Sequence, residues 1–323
     1  MIEVEHLTKK FYNTMAVNDI SFIVEKGEIL GFLGPNGAGK STTMRILTCF
    51  IPQTGGKATV AGFDVLTESL EVRKNIGYLP ENVSMYSDMR VEEFLKFRAN
   101  LKGVPRNNRK QKIDMTMEKC WITDVRRKII GNLSKGYRQR VALAESLVHD
   151  PKILILDEPT VGLDPNQIRE TRQLIKDLGK NHTVILCTHI LPEVEMICDR
   201  VIIINKGKLV AMDTPESLMR KLMGEKILHL EVKGPVNEIK SALEKIKGVE
   251  KVFVDKTMQE IIFIKIEQQE KQDIREDVFY EIVKNNWILR EMHIESASLE
   301  DIFFKITVKE PIVKNEISGG ANA

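Results

Sequence analysis

Eight residues constrain this 323-residue chain more than any other feature: Gly34-Pro-Asn-Gly-Ala-Gly-Lys40-Ser41. The apolar run Ile29 to Leu33 precedes them, and helical spacing follows from Ser41 to Cys49. A strand feeding a glycine-rich loop that opens a helix has the G-x-x-x-x-G-K-[ST] pattern. Glycines let the backbone wrap a phosphate with its N–H groups pointing inward, and the helix N-terminus adds the positive end of its dipole. Gly34, Pro35, Asn36, Gly37, Ala38, Gly39, Lys40, Ser41 and Thr42 are therefore candidate nucleotide contacts. Lys40 would reach the β- and γ-phosphates and serve the reaction directly, while Ser41 would offer its hydroxyl to Mg²⁺.

A second pattern adds chemistry to this binding loop. Ile153-Leu-Ile-Leu-Asp157-Glu158 is an apolar strand ending in two acids. A buried strand delivers Asp157 at its C-terminal edge, where it suits the magnesium shell, and Glu158 beside it suits a general base for the water that attacks the γ-phosphate.

Length favours about two domains. With 42% hydrophobic and 29% charged residues the chain has material for a globular core. No run approaches the ~18 to 20 apolar residues of a membrane-spanning helix; the greasiest, Ile153 to Leu156 and Val201 to Ile204, are of strand length. The N-terminus MIEVEHLTKK lacks a basic region followed by an apolar one, so no signal peptide is expected and the protein should stay in the cytosol. Cys49, Cys120, Cys187 and Cys198 show no C-x-x-C pair or zinc spacing and read as free thiols in core packing.

Net charge is only +2, but Lys96 to Arg140 holds 14 basic and 3 acidic residues. That stretch reads either as a solvated helical surface or as a contact for anionic lipid headgroups or acidic loops of a membrane partner.

Val91 to Lys102 and Asn107 to Cys120 have helical spacing, broken at Gly103 and Pro105, and form an insert between two α/β parts. Lys152 to Leu156, Thr183 to Cys187 and Val201 to Ile204 are near-continuous apolar runs separated by the helical stretch Asn166 to Leu178. They predict a mostly parallel sheet buried on both faces. A second unit starts near Lys226, where alternation at Leu228, Leu230 and Val232 opens a strand. The order strand, helix, two strands, helix, strand that follows is that of a ferredoxin-like sandwich. Ser298 to Ile306 is expected to dock on it as an amphipathic segment, and Gly319 to Ala323 to fray.

Further pieces complete a family pattern. Leu133-Ser-Lys-Gly-Tyr-Arg-Gln-Arg140 looks like the LSGGQ signature, Val161-Gly-Leu-Asp164 resembles the D-loop, and Thr188-His189 closes a strand as the switch histidine does. Together with the two motifs above they resemble the ATP-binding subunit of an ABC transporter, over about residues 1 to 222. Gly77-Tyr-Leu-Pro-Glu81, Glu-Pro-Thr-Val-Gly-Leu-Asp-Pro-Asn-Gln167 and the ending Ser298-Leu-Glu-Asp-Ile-Phe303 resemble, more narrowly, the subfamily serving export permeases, including its gliding-motility-associated type.

The resemblance implies an α/β P-loop ATPase: an ABC nucleotide-binding domain at 1–222, with a mostly parallel core sheet and a helical subdomain at about 83–150. A small α+β ferredoxin-like accessory or regulatory domain at 226–308 and a tail at 309–323 complete it. It implies ATP and Mg²⁺ as ligands, integral membrane permease subunits as partners, and a cytoplasmic protein peripheral on the inner face of the cell membrane. It also implies a homodimer or paralogous heterodimer, because each ATP lies between one chain's phosphate loop and the other's signature. Ser134, Lys135 and Gly136 would grip the γ-phosphate across that dimer, with Asp164 beside them. Phe11 would stack on adenine, with Tyr12 a possible substitute; Glu81 would join Ser41 and Asp157 at the metal; His189 would contact the γ-phosphate as a catalytic residue with Glu158 and Lys40.

Two positions depart from the family pattern: Glu81 replaces a glutamine and Lys135 a glycine. Their opposite charges are expected to compensate in the closed dimer, unless Lys135 points to solvent. Other functions also fit an ABC-type ATPase, namely mechanical regulation of a membrane complex without transport, or action on nucleic acid. No nucleic acid is expected here, since the chain has neither tandem ATP-binding domains nor long coiled-coil inserts. A metabolic kinase would have the phosphate loop without the signature and switch histidine.

Overall fold

The computed structural model describes residues 1–218, 226–258, 260–268 and 273–295. They divide into two compact units, with the boundary between Pro215 and Glu216. The expected segment Ser298 to Ile306 and the terminal Gly319 to Ala323 lie outside the described residues.

In the first unit the chain runs β1 (Ile2–Phe11), β2 (Thr14–Val24), β3 (Ile29–Leu33), α1 (Lys40–Leu47), β4 (Gly55–Val60), β5 (Phe63–Asp64), α2 (Ser69–Asn75) and β6 (Ile76–Leu79). It continues through α3 (Val91–Leu101), α4 (Arg106–Lys119), α5 (Lys135–Leu147), β7 (Ile153–Asp157), α6 (Pro165–Gly179), β8 (Thr183–Thr188), α7 (Leu191–Ile197), β9 (Arg200–Asn205) and β10 (Lys208–Asp213). Six strands form the central sheet in the order β10-β9-β3-β8-β7-β6. Only β10 is antiparallel to its neighbour; the other five run parallel.

Every residue of β3, β7 and β8 is buried. This agrees with their unbroken apolar runs, because a parallel strand is covered on both faces. The register pairs Leu33 with Thr188 and Asp157 with Cys187. The carboxyl ends of three neighbouring strands therefore lie side by side, and each opens into one of the motifs read from the sequence.

A second, four-stranded sheet in the order β2-β1-β4-β5 is antiparallel throughout. Ile2, Val4, Leu7, Ile20 and Phe22 from its buried face share one core with Phe32, Ile155 and Ile185, and the rings of Phe22 and Phe32 meet at 5.7 Å.

The helical insert comprises α3, α4 and α5. Val91, Phe94 and Leu95 on α3 and Ile113 and Met117 on α4 are buried, at spacings that place them on one helical face. Glu145 of α5 pairs with Arg98 and Lys102 of α3 at 2.6 and 3.6 Å.

The second unit runs β11 (Lys226–Lys233), α8 (Val236–Leu243), β12 (Val249–Met258), β13 (Ile261–Gln268), α9 (Arg275–Lys284) and β14 (Ile288–Glu295). Its sheet has the order β12-β13-β11-β14, all antiparallel. Along β13 buried and half-buried residues alternate strictly, so one face meets Ile239, Leu243, Val278 and Ile282 of the helices. On the other face His229 and His293 stack across β11 and β14 at 5.1 Å, surface strand positions as the alternation predicts.

No helix among the described residues is long and apolar enough to cross a membrane. Cys120, Cys187 and Cys198 are buried and Cys49 is half-buried, all four as free thiols; burial pushes the Cys120 thiol up to about 12.

Candidate nucleotide site

The carboxyl ends of β3, β7 and β8 enclose a cleft of about 490 Å³, lined among others by Asn36, Lys40, Ser41, Glu81, Glu158 and His189. Its floor is the loop from Gly34 to Gly39. Gly39, at φ 109°, is the cap of α1, and a Cβ there would come within 2.5 Å of the Ala16 carbonyl oxygen. Only glycine meets both demands. No side chain caps α1, which leaves its first N–H groups available to an anion.

Lys40 is 6% exposed. Its ammonium donates to the carbonyls of Gly34 at 2.6 Å and Pro35 at 3.3 Å and lies 4.0 Å from Glu158. A buried cation needs such partners, and these carbonyls hold it at the mouth of the loop.

Asp157 ends β7, 2% exposed. Burial pushes its carboxyl above the usual carboxylate range; the Ser41 hydroxyl opposes this, and the charges of Glu158 and Glu81 add to it. Asp157 Oδ1 and Glu158 Oε2 are buried without a hydrogen-bond partner. The orphaned Asp157 oxygen, beside the Ser41 hydroxyl and the Glu81 carboxylate, belongs to a set of hard oxygen donors of the kind Mg²⁺ takes together with phosphate oxygens. The residues present therefore fit the metal.

Glu158 has a φ of 51°, in the left-handed region that non-glycine residues occupy at a cost of order 1 kcal/mol or more. Its N–H donates to the Cys187 carbonyl at 2.8 Å, pinning this turn against β8. The conformation brings Glu158 Oε1 to 2.9 Å from His189 Nδ1. An ionised carboxylate only accepts, so Nδ1 carries the proton. His189 keeps about half of its side chain exposed, whereas Glu158 is nearly covered.

The remaining residues read from the sequence stand outside the cleft as one chain forms it. Ser134 caps α5 by accepting from the Tyr137 N–H at 3.3 Å. Gly136 packs against the Gln167 side chain, and the Lys135 ammonium lies over Gly162. Asp164 caps α6, accepting from the Gln167 N–H at 3.0 Å. The signature and D-loop segments thus touch each other through Gly136, Gln167, Lys135 and Gly162. Phe11 ends β1, 42% exposed, under the Lys9 ammonium at 4.9 Å; Tyr12 is almost wholly exposed. Ala38 is buried beneath the loop. Ala16 and Val161 also line the cleft; Val161 opens the D-loop-like segment, whereas no local pattern marks Ala16, an ordinary apolar residue brought there by the fold.

The family model described as ABC transporter matches residues 17–161, from β2 through the acidic strand. The linearmycin resistance ATP-binding protein LnrL of Bacillus subtilis is 32% identical over 95% of this chain and 98% of its own length. Among solved structures, cbiO1 from Clostridium perfringens, part of the ABC transporter complex cbiONQ, superposes with a TM-score of 0.62 at 28% identity, covering 68% of this chain and 93% of that one. A dimeric ATP-binding cassette in a post-hydrolysis state with ADP and Pi shares the fold at 23% identity, with a TM-score of 0.61 over 66% of this chain and 98% of its own. Matched along nearly its whole length by a relative, the chain belongs to the ABC transporter family, as an ATP-binding and ATP-hydrolysing subunit that uses Mg²⁺ and works with membrane permease components.

Proposed function

We propose that this subunit energises export of a resistance-type compound through a separate permease, by closing two copies around ATP at the cleft described above. The observation that carries the export reading is the match to a resistance protein over 95% of this chain, which includes the C-terminal unit as well as the ATPase core. The domain division that goes with it is an ABC domain over 1–222 and an accessory unit over 226–308, which we assign to dimer stabilisation or control of turnover. The gliding-motility-associated type rests on short motifs alone, and the relative's name favours resistance.

The geometry supports the following roles. Lys40 exchanges its carbonyl partners for the β- and γ-phosphate oxygens, while the free N–H groups of α1 hold the phosphates. Asp157, Ser41 and Glu81 would hold Mg²⁺, which when bound neutralises charge that develops on the phosphates. Glu158 Oε2 accepts the proton of the attacking water, a role suited to an oxygen that has no other partner. His189 holds that carboxylate through its Nδ1–H, and a contact from Nε2 to a γ-phosphate oxygen requires the doubly protonated ring, in which both nitrogens donate. Ser134, Lys135 and Gly136 of a second copy complete the site from a helix N-terminus, with Asp164 beside them. ATP binding then shifts the population toward the closed dimer, and hydrolysis releases it.

The test is affinity purification of tagged Glu158→Gln protein with ATP and Mg²⁺ from detergent-solubilised native membranes. Recovery of a polytopic permease is expected. Recovery of a single-span protein with cell-envelope hydrolases would replace the export reading by mechanical regulation.

A further inference from the structure

We infer that Glu193 is a positioning residue for hydrolysis: its carboxylate clamps the loop after the acidic strand to the loop that carries His189, and so sets the contact between Glu158 and His189. The inference rests on the roles proposed above for those two residues.

Glu193 lies in the first turn of α7 with no exposed surface. Its Oε1 accepts from the Thr160 hydroxyl at 2.5 Å, and its Oε2 from the Thr188 hydroxyl at 3.1 Å. Thr160 stands two residues after Glu158, and Thr188 immediately before His189. Both threonines are buried, at 2% and 0% exposure. Each carboxylate oxygen thus holds one of the two loops. Thr188 Oγ1 also accepts from the Ile190 N–H at 3.0 Å, so the clamp grips the backbone on both sides of His189. Arg172 of α6 stands 3.6 Å from Oε1 and supplies the counter-charge.

Chemistry explains why an acid is needed. Both hydroxyls donate, so the bridging group must accept at two separated atoms, which a carboxylate does and a glutamine amide does at one oxygen only. Anchoring α7 requires no charge, since Leu191, Val194 and Ile197 already bury its apolar face. A buried carboxylate costs free energy that this anchoring does not need. What the acid adds is a link between the loop at Thr160 and the end of β8 at Thr188, 28 residues apart. The left-handed Glu158 is held only if its surroundings over-determine it, and the Thr160 anchor is one such restraint.

The experiment uses the full chain with MgATP. It compares wild type with Glu193→Ala, Glu193→Gln and the near-isosteric Thr160→Val and Thr188→Val, with the melting temperature as control. The inference expects Glu193→Ala to lower kcat at least about tenfold with ATP affinity changed less than about twofold. Glu193→Gln should recover part of the loss, and each valine variant should lower kcat by a smaller factor. In a His189→Ala background, followed in single turnovers, Glu193→Ala should add less than about a twofold loss. An unchanged kcat, a parallel fall of affinity and kcat in all four variants, or the same fold-loss with and without His189 would overturn it. If Glu193→Ala does not fold, the valine variants decide by the same split. Retention of full turnover by both Glu158→Gln and His189→Ala would instead overturn the site reading beneath it.

Discussion

His189 Nδ1 lies 2.9 Å from Glu158 Oε1 although 31 positions separate them in sequence. Each follows the carboxyl end of a parallel strand, β8 or β7, and the register of those strands makes them neighbours. Glu158 carries one oxygen bound to this histidine and one buried without a partner. That asymmetry suits a base that is oriented at one atom and reacts at the other.

Asp157 costs the nucleotide-free fold stability near neutral pH. Burial raises its carboxyl above the ordinary value of 3.8, so the folded state binds this proton more tightly than the unfolded chain. As pH rises through the window between the unfolded and the raised folded value, stability is withdrawn, and above it the whole penalty applies. Asp157→Asn should therefore raise the melting temperature of the nucleotide-free chain at pH 7. It should also abolish the further rise that Mg²⁺ adds to ATP. Thermal denaturation with ATP, with and without Mg²⁺, checks both.

His149 gives the fold an acid-sensitive point. Burial and the Lys102 charge push its imidazole down to about 4, against the opposing hydrogen bond to the Ile76 carbonyl. The depressed value means that the neutral ring contributes no penalty above 6.5, and that stability is lost as pH falls from 6.5 toward 4. The loss should reach up to roughly 3 kcal/mol. Denaturant unfolding at steps between pH 7 and 4 should show this slope, and His149→Gln, which keeps an N–H for Ile76, should flatten it.

Glu81 lines the cleft, while Lys135 stands at the start of α5 with its ammonium over Gly162. If the two charges compensate across the closed dimer, a double-mutant cycle of Glu81→Gln and Lys135→Gly on ATPase rate should show coupling of order 1 kcal/mol or more. Additive effects would mean that Lys135 serves only its own chain, at the D-loop.

The phosphate loop was legible because its constraints are local: glycine where backbone must turn or approach closely, lysine and serine at fixed offsets. The parallel strands were legible because double burial writes itself as unbroken Ile153 to Leu156 or Val184 to Cys187. The ferredoxin-like order emerged from strand alternation together with helical spacing, and the described elements follow it. Long-range features were hidden. Ala16 in the cleft, the left-handed Glu158 and the Glu193 clamp each depend on segments that meet only in three dimensions. The basic stretch Lys96 to Arg140 was ambiguous because sequence shows charge without partners. In the structure Arg98, Lys102, Lys112, Arg126 and Arg140 pair with Glu145, Asp150, Asp114 and Glu170, partners that lie mostly outside the stretch itself.

In the proposed cycle one chain supplies half of a site that two copies close around ATP, with Glu158 as the base for hydrolysis. The direct measurement is the mass in solution, together with the ATP turnover, of Glu158→Gln, Lys40→Ala and wild type, each with ATP and Mg²⁺. Glu158→Gln is expected to lose at least about 100-fold in turnover yet to accumulate as an ATP-dependent dimer, and Lys40→Ala neither to bind ATP nor to dimerise. Wild-type turnover in Glu158→Gln, or a mass that does not respond to ATP in that variant, would contradict the proposed cycle.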